Sequence, residues 1–89
     1  MAERSDAYII SRLIHQTRLL IATDDTMPSE TKLQTQPVLK ELETALAVDE
    51  DEQDQKAIRG NYYFLYDQLA AYPDLEALLS AMKNFVPYL

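Results

Sequence analysis

The chain has no cysteine, no tryptophan and a single glycine among 89 residues. Without cysteine there is no disulfide and no thiolate-held metal, so apolar packing must hold the fold, and a reducing compartment suits it. One glycine excludes glycine-rich phosphate cradles. Uninterrupted apolar stretches are also short. None approaches the ~18 residues that span a bilayer, and Met1-Ala2-Glu3-Arg4-Ser5-Asp6 lacks the basic start and apolar core of a signal peptide. The chain is therefore expected to be a single domain, residues 1–89, made and kept in the cytoplasm without a transmembrane segment. Basic residues are scarce as well: eight against fifteen acidic ones, a net charge of −7. Such a surface repels nucleic acid and anionic lipid on average and keeps the protein soluble, although a local basic patch remains compatible with it.

What the chain does have is helical periodicity. Hydrophobic residues make up 47%, six tyrosines and two phenylalanines among them, and they recur at three- and four-residue spacing between Pro28, Pro37, Pro73 and Pro87. A first helix is expected over about Asp6 to Thr23, capped by Ser5, with Ile10, Leu13, Ile14, Thr17, Leu20 and Ile21 as its inner stripe. Ser29 to Gln36 is polar apart from Leu33 and reads as a connection with a short helical turn or as a bent extension of the second helix, whose start the pattern leaves open. Pro37 suits the first turn of a second helix, which turns Val38, Leu39, Leu42, Ala45, Leu46 and, where the helix reaches it, Val48 inward.

The acidic run Asp49-Glu50-Asp51-Glu52-Gln53-Asp54 is placed to start a third helix. In that helix Ile58, Tyr62, Leu65, Leu69 and Tyr72 are spaced four, three, four and three, a packed seam. Gly60 lies within it, and the expected use is close approach of a neighbouring helix. Leu75, Leu78, Leu79, Met82, Phe85 and Val86 line a fourth helix that Pro87 stops. Four amphipathic segments with short connections predict an all-α, antiparallel up-down-up-down four-helix bundle.

Catalytic groups are sparse. His15, the one histidine, lies between Ser11 and Arg18 on the polar side of the first helix and is expected at the surface. A lone histidine without cysteine does not make a zinc site. Read as a calcium loop from Asp49, the acidic run places Asp54 where glycine is needed and Gly60 where glutamate is needed, so a solvated helix start is the better reading. No cofactor, metal or catalytic residue is expected, and an enzyme would need a second chain to complete its site.

The aromatic cluster Tyr62-Tyr63-Phe64-Leu65-Tyr66 is the most unusual local feature. Successive helical residues turn about 100° each, so not all of them face one core. One reading is a wide buried stripe with hydroxyls reaching water; the other is an exposed aromatic patch that binds a partner. Likewise Tyr88 and Leu89, after Phe85-Val86-Pro87, either fold back on the bundle or remain available.

The chain resembles the immunity proteins of pediocin-like (class IIa) bacteriocins, of the enterocin A immunity type. The similar features are Tyr8 with Leu13 and Leu20 in the first helix, Pro37-Val38-Leu39 followed by Leu42 and Leu46, the aromatic Ile58-to-Tyr72 helix, and Leu75-Glu76-Ala77-Leu78-Leu79. The resemblance covers nearly the whole chain in length, order and hydrophobic spacing. It implies a cytoplasmic four-helix bundle that protects a producing cell by recognising the toxin-bound mannose phosphotransferase complex at the inner membrane face. Many members carry a longer C-terminal tail that helps decide which toxin is countered, and many are basic where this chain is acidic. The family has no catalytic residues. The expected contacts are Tyr63, Tyr66, Phe85, Tyr88 and Leu89. The competing expectation is an acidic helical regulatory module that binds a basic protein surface.

Overall fold

A computed structural model of the protein describes residues 2–89, with side chains from residue 6 onward. Four α-helices are present, α1 (Ala2–Thr23), α2 (Ser29–Leu46), α3 (Gln55–Leu69) and α4 (Pro73–Met82), with a single 3-10 turn at Glu50–Glu52. Among the described residues there is no strand. Each helix packs on its neighbours in sequence and α4 closes against α1, which makes the expected four-helix bundle.

The core follows the predicted stripes. Ile14, Thr17 and Ile21 of α1, Leu39 and Leu42 of α2, Ile58, Tyr62, Leu65 and Leu69 of α3, and Leu75, Leu79 and Met82 of α4 are buried. Met27, in the turn before α2, joins them. Thr17 is admitted because its hydroxyl donates to the Leu13 carbonyl at 2.7 Å, so no polar group is left unpaired.

Four sequence expectations need correction. First, α1 begins at Ala2, so Ser5 lies within the helix and does not precede it; its side chain is outside the described residues. Second, α2 runs from Ser29 to Leu46, so Pro37 sits inside it and not in its first turn, and Val48 lies exposed beyond its end. The polar stretch still has an inner face. Thr35 is fully buried with its hydroxyl on the Thr31 carbonyl at 2.8 Å, and Lys32 reaches the Ala22 carbonyl at 3.3 Å. Pro37 removes the N–H that would bond the Leu33 carbonyl. Both residues are exposed, so water can replace that bond.

Third, Gly60 is exposed, and a Cβ built on it would meet nothing within 4 Å. No helix exploits its missing side chain. Fourth, α4 ends at Met82, and Phe85 and Val86 lie in turns beyond it. The last N–H groups tighten to three-residue bonds, Lys83 to Ser80, Asn84 to Ala81 and Phe85 to Met82. The Tyr62 hydroxyl donates instead to the Leu79 carbonyl near this end. Ten-residue α4 rises only about 15 Å, against about 22 Å for α3. Residues 83–89 fill the remainder as a non-helical strap, with Val86 buried and Tyr88 and Leu89 packed against the core.

The acidic run behaves as expected of a helix start. Asp54 caps α3, its carboxylate accepting from the Ala57 N–H at 3.1 Å, while Asp49, Glu50, Asp51 and Glu52 face water.

Candidate partner-binding surface

The aromatic cluster divides by helix geometry. Tyr62 and Leu65 point into the core and are fully buried; Tyr66 is half-buried; Tyr63 and Phe64 are each 39% exposed. Neither a single buried stripe nor a single exposed patch describes it. At 100° per residue, Tyr63 and Tyr66 fall on the α4 side of α3, whereas Phe64 falls on the opposite side.

Four of the five expected contact residues are held by specific bonds. The Tyr63 hydroxyl donates to the Leu89 carbonyl at 2.6 Å, its ring meets that of Tyr62 edge-on at 5.0 Å, and Lys83 Nζ lies 5.5 Å from its centre. The Tyr88 hydroxyl donates to Gln53 Oε1. Gln53 in turn donates through Nε2 to the Val48 carbonyl at 3.1 Å, with the Leu46 carbonyl at 3.5 Å. The strap is thereby fastened both to α3 and to the open end of α2. Phe85 is half-buried in the turn leading into the strap.

Tyr66 makes a separate latch. Its hydroxyl and that of Ser80 both donate to Glu76 Oε2, each at 2.7 Å. The Ser80 bond and then the Tyr66 bond hold the Glu76 carboxyl below its usual range, while donation to that carboxylate raises the Tyr66 phenol. Burial, helped by the nearby Tyr63, Tyr66 and Glu76, pushes Tyr62 up to about 12. Burial and the charge of Glu50 raise Tyr88.

The structure thus brings Tyr63, Tyr88 and Leu89 together at the strap, sets Tyr66 on the same side of α3, and places Phe85 where the strap begins. His15 is exposed, as expected. Sequence reasoning missed Gln53 and Lys83 as parts of this surface. Gln53 had a signal: it is the one uncharged residue of the acidic run, and only an amide there both donates and accepts. Lys83 had none, because its position over Tyr63 depends on where α4 stops. Among the described residues, no helix is long and apolar enough to cross a membrane. Comparison with protein-family models, curated proteins and solved structures returned no match.

Proposed function

We propose that the protein is a bacteriocin immunity protein, which protects a producing cell by binding the toxin-bound mannose phosphotransferase complex from the cytoplasmic side. The reading rests on the family resemblance in helix order and spacing, and the four-helix bundle is the fold that resemblance implies. The observation that carries it furthest is the exposed Tyr63 of α3, whose hydroxyl is bonded to the Leu89 carbonyl of the neighbouring strap. Tyrosine combines large apolar area with a polar tip, the composition that concentrates binding energy at protein interfaces. Here the bond to the strap fixes the exposed Tyr63 side chain, which lowers the entropy lost on docking. The test is affinity capture from bacterial membranes with a tagged chain. Mannose phosphotransferase subunits should be retained when a class IIa bacteriocin is present and lost when it is omitted; equal recovery in both, or none in either, would contradict the proposal.

A second reading is favoured by the exposed acidic residues Asp49 to Glu52, a ridge suited to a basic protein surface. It predicts that an arginine-rich peptide binds, and that replacing Asp51 and Glu52 by Asn and Gln abolishes the binding.

A further inference from the structure

The outer side of the α1–α2 pair differs in charge from the rest of the molecule. Residues 7–23 of α1 contain Arg12, His15 and Arg18 and no aspartate or glutamate, although the chain as a whole carries −7. Between the two helices runs an open groove of about 590 Å³, lined by Arg18, Leu33, Gln36, Pro37, Lys40 and Glu43. Its one carboxylate, Glu43, is neutralised by Arg18 at 2.6 Å. Among the described residues Lys40 has no carboxylate within ion-pair distance, so the groove keeps a net positive charge.

Its apolar part is equally distinct. Leu33, in the groove wall, is 75% exposed, the most exposed large hydrophobic residue described, and Pro37 beside it is exposed too. Leucine so exposed adds apolar surface that a partner can cover. Pro37 adds a third element: by lacking an N–H it leaves the Leu33 carbonyl without its helical donor, an acceptor on the same exposed side.

We propose that this groove docks an acidic amphipathic segment of a protein partner, whose apolar side chains cover Leu33 and Pro37 and whose carboxylate meets Lys40. Charge decides the occupant. A basic segment would face Lys40 unpaired, and a second copy would offer beside its acidic ridge only the single exposed Val48, too little apolar surface to cover the groove. The inference rests on the general reading of the protein as a binder and not on the identity of any toxin.

The test is a backbone-amide NMR titration with two synthetic amphipathic peptides, one of Leu and Glu and one of Leu and Lys, run on the native chain, Lys40→Glu and Leu33→Ser. Both substitutions are at exposed positions, so the fold and its melting temperature should be kept. The Leu/Glu peptide should shift Arg18, Leu33, Gln36 and Lys40, the Leu/Lys peptide should not, and Lys40→Glu should weaken binding by roughly tenfold or more, as loss of a charge-assisted contact does. The proposal is overturned if neither peptide shifts these residues, if Leu/Lys binds there equally, if both variants bind as the native chain does, or if dilution alone produces the same shifts, which would make a second copy the occupant. Failure here leaves toxin-dependent capture unaffected, so the two proposals fail separately.

Discussion

The phenol of Tyr88 is bonded to the side-chain amide of Gln53, 35 residues earlier, and that amide donates to the Val48 carbonyl just beyond α2. A single glutamine therefore ties the last residues of the chain to the junction between the second and third helices. Tyr88→Phe removes only the donor and should cost about 1 kcal/mol, the usual net value of such a bond. Gln53→Ala should cost at least as much, because it also frees the Val48 carbonyl. Urea unfolding of both single variants and the double variant would show the coupling: the double should lose less than the sum of the singles.

Pro37 and Gly60 are both helix-interior residues at exposed sites, and neither repays its local cost by packing. Gly60→Ala should stabilise the protein by about 0.5–1 kcal/mol, since a methyl there meets nothing within 4 Å. Pro37→Ala should stabilise it too, by as much as ~3 kcal/mol less the entropy that proline removes from the unfolded chain. Thermal melts would decide both. A lowered melting temperature for Gly60→Ala would contradict the open space around that position.

Tyr62 makes stability fall at high pH. Its folded pKa is raised to about 12 against an ordinary value of 10, because burial disfavours the phenolate. Below pH 10 the phenol is protonated whether the chain is folded or not, so its contribution is intact. Between pH 10 and 12 only the unfolded chain loses the proton, and stability declines. Tyr62→Phe should remove this part of the alkaline decline, while costing about 1–3 kcal/mol at neutral pH because the Leu79 carbonyl loses its partner. Denaturant midpoints at pH 7, 10 and 11.5 would measure it.

Glu76 acts at the other end of the scale. Its folded pKa is lowered from 4.5 by bonds from Ser80 and Tyr66, so its contribution is present above pH 4.5 and is lost as pH falls through the lowered folded value. Glu76→Gln should weaken that part of the acid dependence. Midpoints for the native chain and the variant at pH 7 and pH 3.5 should converge toward acid; a gap that stays constant would show that the latch does not depend on the carboxylate.

The hydrophobic stripes made the bundle legible because Ile14, Leu42, Ile58 and Leu79 recur with the period of a helix. The start of α2 was not legible. There the buried residue is Thr35, which apolar periodicity does not count, and Lys32 reaches back to the Ala22 carbonyl. The end of α4 was hidden for the opposite reason: Phe85 and Val86 continue the apolar spacing, yet the chain has already turned. At the aromatic cluster the pattern could say that five consecutive residues cannot share a face. Which side Tyr63 takes, however, depends on the strap it bonds.

The central claim, immunity, is tested most directly in cells. A strain sensitive to class IIa bacteriocins would express the chain, and the growth-inhibiting concentration of a panel of these toxins would be measured with and without it. The account predicts that the chain raises that concentration by roughly tenfold or more for at least one toxin, the scale of a single strong protein contact. Unchanged sensitivity to every toxin in the panel, with the chain present and folded, would contradict it.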